Sequence, residues 1–198
     1  MRVLLAEDQA MIRTALASLL RLEGGFDVVE AEDGDTAMKL LQQGDFDLLL
    51  SDIEMPGASG IELAEYIQKS KLNTQVIIIT TFGRSGYIRR AVNANVTGFL
   101  LKDAPVEQLV DAIAKVMAGG KVINSELLLN SLGGQDPLTN KERKALRLAA
   151  DGKSTSEIAQ ALFVAEGTAR NYLSEAISKL SASNRIDAAR IARQNGWL

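Results

Sequence analysis

Along the first two thirds of the chain, short apolar runs alternate with stretches in which apolar residues recur every three or four positions. The runs are RVLLA, FDVVEA, FDLLLS, TQVIIIT and VTGFLL, each of strand length and rich in β-branched residues and leucine. Between the first two lies QAMIRTALASLLRL, where Ile12, Ala15, Leu16, Leu19 and Leu20 fall at helical spacing. Near-continuous apolar runs belong to strands covered on both faces, so the pattern predicts an α/β unit of five parallel strands with helices on either side. In such sheets the groups that do chemistry gather at the carboxyl ends of the strands.

After AGGKVINSELLLNSLGGQDP, a stretch broken by Gly pairs and closed by Pro137, the strand pattern stops. This divides the chain into segments 1–120, 121–136 and 137–198, with the middle one a linker. The last segment reads as all helix. Thr139 with Glu142, and Ser154 with Glu157, have the three-residue spacing of a capping box, and Gly152 ends the first helix. A short helix, a tight turn and the stretch AEGTARNYLSEAISKL then make a helix-turn-helix candidate inside a four-helix unit.

Composition narrows the chemistry. The 198 residues include no cysteine and no histidine, which removes thiol and imidazole nucleophiles, histidine bases and ordinary zinc sites. No apolar run reaches the roughly 18 to 20 residues of a membrane span. The N-terminus MRVLLAEDQ turns acidic too early for a secretory signal, so a soluble, cytoplasmic protein is expected. The net charge of −3 hides a split: residues 137–198 carry 10 Lys/Arg against 6 Asp/Glu, a net +4, whereas the first 136 carry 12 against 19, a net −7. An acidic module is joined to one suited to a polyanion.

The strand ends carry a consistent set. Glu7 and Asp8 follow the first strand, Asp52 the third, Thr80 and Thr81 close the fourth, and Lys102 follows the fifth. Three converging carboxylates repel one another unless a cation shares the site, and a hard, oxygen-seeking Mg²⁺ suits Glu7, Asp8 and Asp52 with a backbone carbonyl near Glu54. Asp52 is then a carboxylate nucleophile able to form an aspartyl phosphate by in-line attack on a phosphoryl donor. Lys102 supplies a fixed cation for the phosphoryl oxygens, and the Thr80 hydroxyl can donate to one of them. The Pro56-Gly57 turn keeps the loop carrying the Glu54 carbonyl in place.

Together AED, LLSDIEMPGASG, VIIITTFG and GFLLKDAP resemble a bacterial response-regulator receiver domain. LTNKERKALRLAADGKSTSEIAQALFVAEGTARNYLSEAISKL is similar to the LuxR-type helix-turn-helix of the NarL/FixJ subfamily, and TTFGRSGYIRRAV resembles its DesR-like members. The resemblance covers almost the whole chain. It implies a flavodoxin-like receiver of strand order 2-1-3-4-5, a sensor histidine kinase as phosphoryl donor to Asp52, dimerisation on phosphorylation, and promoter DNA and RNA polymerase as partners. It also implies a switch in which Thr80 moves toward the phosphoryl group and Phe99, which stands where the family often has Tyr, turns inward.

In the candidate recognition helix Ala169, Tyr172, Leu173, Ala176, Ile177 and Leu180 form one apolar stripe, leaving Arg170, Asn171, Ser174 and Ser178 facing outward. Arg and Asn can pair bidentately with guanine and adenine. Thr168, Lys179 and Arg185 are expected on phosphates. Ala165 stands where a capping Ser or Thr is usual. The last helix, SNRIDAARIARQNGWL, shows an Ala/Ile stripe suited to pairing of two copies.

Two other functions compete with a phosphorylation-switched, non-enzymatic transcription regulator. One is an aspartate-nucleophile phosphatase of the haloacid dehalogenase type, which places a second Asp two residues after the nucleophile as acid and base; here that position is Glu54, before Pro56, and no cap-like substrate pocket follows. The other is a DNA-binding regulator that works without phosphorylation.

Overall fold

The computed structural model describes residues 1–81, 85–123 and 136–198. The linker assignment 121–136 falls mostly outside the described residues, as does part of TTFGRSGYIRRAV. The chain divides into two compact units, one α/β and one helical.

The α/β unit runs β1 (Arg2–Ala6), α1 (Ala10–Gly24), β2 (Asp27–Ala31), α2 (Gly34–Gln43), β3 (Leu48–Ser51), α3 (Gly60–Ser70), β4 (Gln75–Thr80), α4 (Ser85–Asn93), β5 (Gly98–Leu101), α5 (Val106–Met117) and β6 (Val122–Ile123). All pairings are parallel, in the order β2-β1-β3-β4-β5-β6. The sheet therefore has six strands where five were expected. Val122 pairs with Gly98 and Ile123 with Phe99, so residues assigned to the linker extend the sheet.

The two-residue period of the strands divides the core. Leu4, Leu49, Ile78 and Phe99 pack against Leu41, Ile61, Leu63, Ile67 and Ile88 of α2, α3 and α4. Val3, Leu5, Leu48, Leu50, Ile77 and Ile79 pack on the other face against Leu20 of α1 and Leu109, Ile113 and Val116 of α5. Within α1 the expected stripe shifts: Ala17 and Leu20 are buried, Leu16 and Leu19 half-buried, and Ala15 is exposed. Packing both faces fixes the sheet's register, because a slip of one residue would exchange its two sides.

The helical unit comprises α6 (Asn140–Ala150), α7 (Thr155–Leu162), α8 (Glu166–Lys179) and α9 (Arg185–Gln194). Both capping boxes form: the Thr139 and Ser154 hydroxyls accept from the N–H of Glu142 and Glu157, whose carboxylates accept in return. Gly152, at φ 84, turns the chain out of α6. Ala188, Ala189 and Ala192 of α9 are buried against Leu146, Leu173 and Ala176. The alanines of the stripe read as a pairing surface are thus spent inside the unit, where they let α9 lie close to α6 and α8, whereas its Ile186 remains 75% exposed. Ser154→Ala should lower the unit's stability by about 1 kcal/mol, the usual worth of an N-cap. Urea melts would show it, and an unchanged midpoint would mean that Glu157 and water replace the hydroxyl.

Candidate functional site

β1, β3 and β4 deliver the acids and the hydroxyl to the carboxyl edge of the sheet. Parallel pairing of Ala6 with Ser51 brings the end of β1 beside the end of β3, and the Asp52 N–H donates to the Ala6 carbonyl at 3.0 Å. Glu7 and Asp52 therefore emerge side by side. Both are buried, 1% and 7% exposed, and Asp8 is the more open of the three. One carboxylate oxygen from each of Glu7, Asp8 and Asp52 lies within 4.8 Å of the others, a hard-oxygen set that could hold a metal ion.

Lys102 reaches the same point from the end of β5. Its Nζ donates to Glu7 at 3.0 Å and to Asp52 Oδ2 at 2.9 Å, bridging the two buried carboxylates. Its backbone N–H is tied to the Thr80 carbonyl at 2.8 Å, so β4 positions the lysine that serves the acids. Burial pushes the Asp52 carboxyl above its ordinary value, while the hydrogen bond and charge of Lys102 draw it back in part. For Lys102, burial lowers the ammonium, but bonding to Glu7 and Asp52 outweighs this and leaves it raised. The cation stays charged and the acids are held together by it. Asp52 Oδ1 accepts from the Ile53 N–H at 2.6 Å, which orients the carboxylate.

The loop after Asp52 is held from several sides. The Pro56 carbonyl accepts from the Gly34 N–H at 2.9 Å, the Ala58 N–H donates to Asp35 at 3.2 Å, and the Gly60 N–H donates to the Ile53 carbonyl at 3.2 Å. A Cβ on Gly34 would lie 1.6 Å from the Ala58 oxygen, and one on Gly60 2.1 Å from the Asp52 oxygen. Only glycine lets α2 and α3 approach the loop this closely. Ile53 and Met55 anchor it in the core. Glu54 is exposed, and its Oε1 accepts from the hydroxyl of Tyr87, a buried residue of α4. Thr80 and Phe99 are both 2% exposed, so the aromatic ring already lies inward in this state.

Several supporting groups escaped the sequence reading. Arg13 donates to the Glu7 carbonyl at 2.6 Å and to the Asp8 carbonyl at 3.4 Å, bracing the chain that presents both acids. Its position in the first turn after AED was the available signal. Tyr87 gave none, since its partner stands 33 residues away.

In the helical unit, Ala169, Leu173 and Ala176 are buried and Tyr172 and Ile177 half-buried, while Arg170, Asn171, Ser174 and Ser178 are exposed. Ala165 is the N-cap and makes no side-chain capping bond. Thr168 is half-buried in the first turn. Arg170 pairs with Glu166 at 3.2 Å on the surface, and the exposed Arg185 lies 3.5 Å from the Lys153 carbonyl. Lys179, expected on a phosphate, is exposed, and its Nζ donates to both carboxylate oxygens of Glu142 at 2.8 Å. The same Glu142 closes the α6 capping box, so Lys179 ties the end of α8 to the start of α6. Sequence spacing hides this pair, which is 37 residues apart.

A parallel sheet with three acids and a lysine at its carboxyl edge, on one chain with a four-helix unit containing a helix-turn-helix, defines a response regulator that binds DNA. The chain belongs to that family: residues 3–114 match the response regulator receiver domain and residues 136–192 the bacterial regulatory proteins of the luxR family. It is a two-component response regulator with a LuxR-type DNA-binding domain, a transcription regulator. It is 45% identical over 198 residues to YvfU of Bacillus subtilis, an uncharacterised transcriptional regulatory protein, covering 100% of this chain and 99% of that one. It is 43% identical over 196 residues to the transcriptional regulatory protein DesR of the same organism, covering 98% of each. Among solved structures, RcsB from Salmonella enterica serovar Typhimurium, bound to promoter rprA in the presence of phosphomimetic BeF3-, aligns with a TM-score of 0.72 at 27% identity, over 96% of this chain and 97% of that one. No helix among the described residues is long and apolar enough to cross a membrane.

Proposed function

We propose that this regulator is switched by phosphorylation of Asp52. A carboxylate oxygen of Asp52 attacks phosphorus in line, the P–N bond of a kinase phosphohistidine breaks, and an aspartyl phosphate forms. Glu7, Asp8 and Asp52, with the Glu54 backbone carbonyl, would hold Mg²⁺, which when bound offsets the negative charge of both reactants. Lys102, already on Asp52 Oδ2, transfers its hydrogen bond to a phosphoryl oxygen, and the Thr80 hydroxyl donates to another. Phe99 lies in β5, three residues before Lys102, and its buried ring is the element of the switch carried on that strand. The observation that carries this reading is the buried Lys102 ammonium bridging Glu7 and Asp52. Incubation with acetyl phosphate and Mg²⁺, followed by intact mass, tests it: one added phosphoryl group is expected, and none would refute it.

In this reading, residues 1–120 together with β6, Val122 and Ile123 of the segment first read as linker 121–136, make the receiver, and residues 137–198 are the DNA-binding domain. The protein works in the cytoplasm with a sensor histidine kinase, and phosphorylation promotes a homodimer that presents two recognition helices to a promoter and acts on RNA polymerase. Exposed apolar side chains support self-association: Met11 and Leu22 on α1 are each 84% exposed, and Met117 on α5 is 40% exposed.

Chemistry and switching separate by mutation. Thr80→Ala should still accept phosphate, since its hydroxyl is not the nucleophile, yet dimerise more weakly once phosphorylated. Lys102→Ala should show the larger defect, because a full charge leaves the site. Analytical ultracentrifugation with and without acetyl phosphate reads both, and wild-type association in the two phosphorylated variants would rule out a relay through these residues.

A further inference from the structure

Phe163 closes α7 in the left-handed conformation, at φ 53. Glycine or asparagine takes this conformation with least strain, whereas a bulky residue crowds its own backbone there. The ring gains no compensating burial, since Phe163 is 94% exposed. Its neighbours Leu162 and Val164 pack onto the core, and the Val164 N–H donates to the Ala159 carbonyl at 3.0 Å. The turn is thus fixed while its ring is held in water, unfavourable for both backbone and side chain. The next residues lead into α8, whose N-cap is Ala165 and whose exposed face carries Arg170, Asn171 and Ser174.

We propose that Phe163 is a DNA contact, an apolar residue at the entry to the recognition helix that packs on a thymine methyl or a deoxyribose of the duplex. The proposal rests on α8 being the reading helix and adds an apolar element to its polar face. The surroundings favour DNA over a protein partner. Its exposed neighbours along the chain, Gln160, Ala161, Ala165, Glu166 and Gly167, include no second large apolar side chain, unlike the broad apolar patch that a protein interface buries. A single ring matches the isolated methyl groups and sugars of a duplex.

The test uses the full chain treated with acetyl phosphate and Mg²⁺, and a duplex selected by the wild-type chain from a randomised pool. Phe163→Asn should melt no lower than wild type, since asparagine suits the left-handed turn. It should nevertheless bind the selected duplex about tenfold more weakly, with an unchanged salt slope because no phosphate charge is lost. Phe163→Tyr should retain binding. Replacing thymines by deoxyuridine one at a time separates the two contacts: a methyl contact makes one position sensitive in wild type and insensitive in Phe163→Asn, and a sugar contact makes none so. Binding by Phe163→Asn within twofold of wild type overturns the proposal, and it does so equally if transcription from a promoter carrying the site falls, which would place the ring on polymerase. Arg170→Ala serves as the control for α8: loss of binding there with none in Phe163→Asn sinks the Phe163 contact alone, and no loss in either sinks the reading of α8.

Discussion

Asp52→Ala should take up no phosphoryl group from acetyl phosphate and Mg²⁺, under conditions in which the wild-type chain gains one that hydroxylamine removes. The geometry makes the prediction sharp. Two buried carboxylates touch Lys102, but the Glu7 side chain also accepts from the Gln9 N–H at 3.2 Å and meets the lysine with both oxygens. Asp52 meets it with Oδ2 alone, and its other oxygen is held by the Ile53 N–H. The orientation that one backbone bond gives the nucleophile is what in-line transfer needs. Chelating the metal should stop labelling of wild type as well, because Glu7, Asp8 and Asp52 would then repel an incoming phosphate. Peptide mapping should place the label on Asp52. Equal labelling of Asp52→Ala, or a label on Glu7, would overturn the assignment.

The parts legible from the sequence are those whose signal is local. β1 to β5 are apolar runs bounded by polar residues, and the capping boxes of α6 and α7 are three-residue spacings, so each could be read without knowing any partner. The acids of the site were legible for a related reason: strand order turns residues 45 positions apart, Glu7 and Asp52, into neighbours by a general rule about parallel sheets. β6 was not legible, since Val122 and Ile123 make a strand only because Gly98 and Phe99 stand opposite, and two residues have no period. Ala15 and Ala17 could not be told apart, because alanine marks an apolar face too weakly to fix a helix's rotation. The ties that brace the structure over distance were hidden altogether. Arg143, buried in α6, donates to the carbonyls of Leu138 at 3.1 Å and Trp197 at 2.7 Å and to Asn140 Oδ1 at 2.6 Å, and it also pairs with Asp136. Its sequence neighbourhood is that of an ordinary charged helix face. The tie from Lys179 to Glu142, 37 residues away, was hidden in the same way.

Arg170→Ala and Asn171→Ala should each weaken binding to a duplex selected by the wild-type chain by about 1 to 3 kcal/mol, the worth of a bidentate base contact, and should barely change binding to random DNA. Both side chains are exposed on the face of α8 opposite its buried Ala169, Leu173 and Ala176, so truncation leaves the core intact and the loss falls on readout. Arg170 must give up its pair with Glu166 to reach a base, a small penalty because the pair is exposed. Affinity for any duplex should fall steeply with salt, as Lys and Arg release counterions from the phosphates. Lys179→Ala should behave differently. Its ammonium serves Glu142, a buried carboxylate that burial raises but Lys179 and the Thr139 cap hold below its ordinary value on balance. Removing the lysine leaves that acid short of a partner and should lower stability by about 1 to 3 kcal/mol. A carboxyl with a depressed folded pKa stabilises above its unfolded pKa, so this contribution should be full at neutral pH. It should fade as pH falls below about 4.3 toward the lower folded value, which shrinks the gap between mutant and wild type in acid. Fluorescence-anisotropy titrations and urea melts at two pH values separate the outcomes. A Lys179→Ala chain that melts like wild type but binds all duplexes more weakly would return Lys179 to the phosphates.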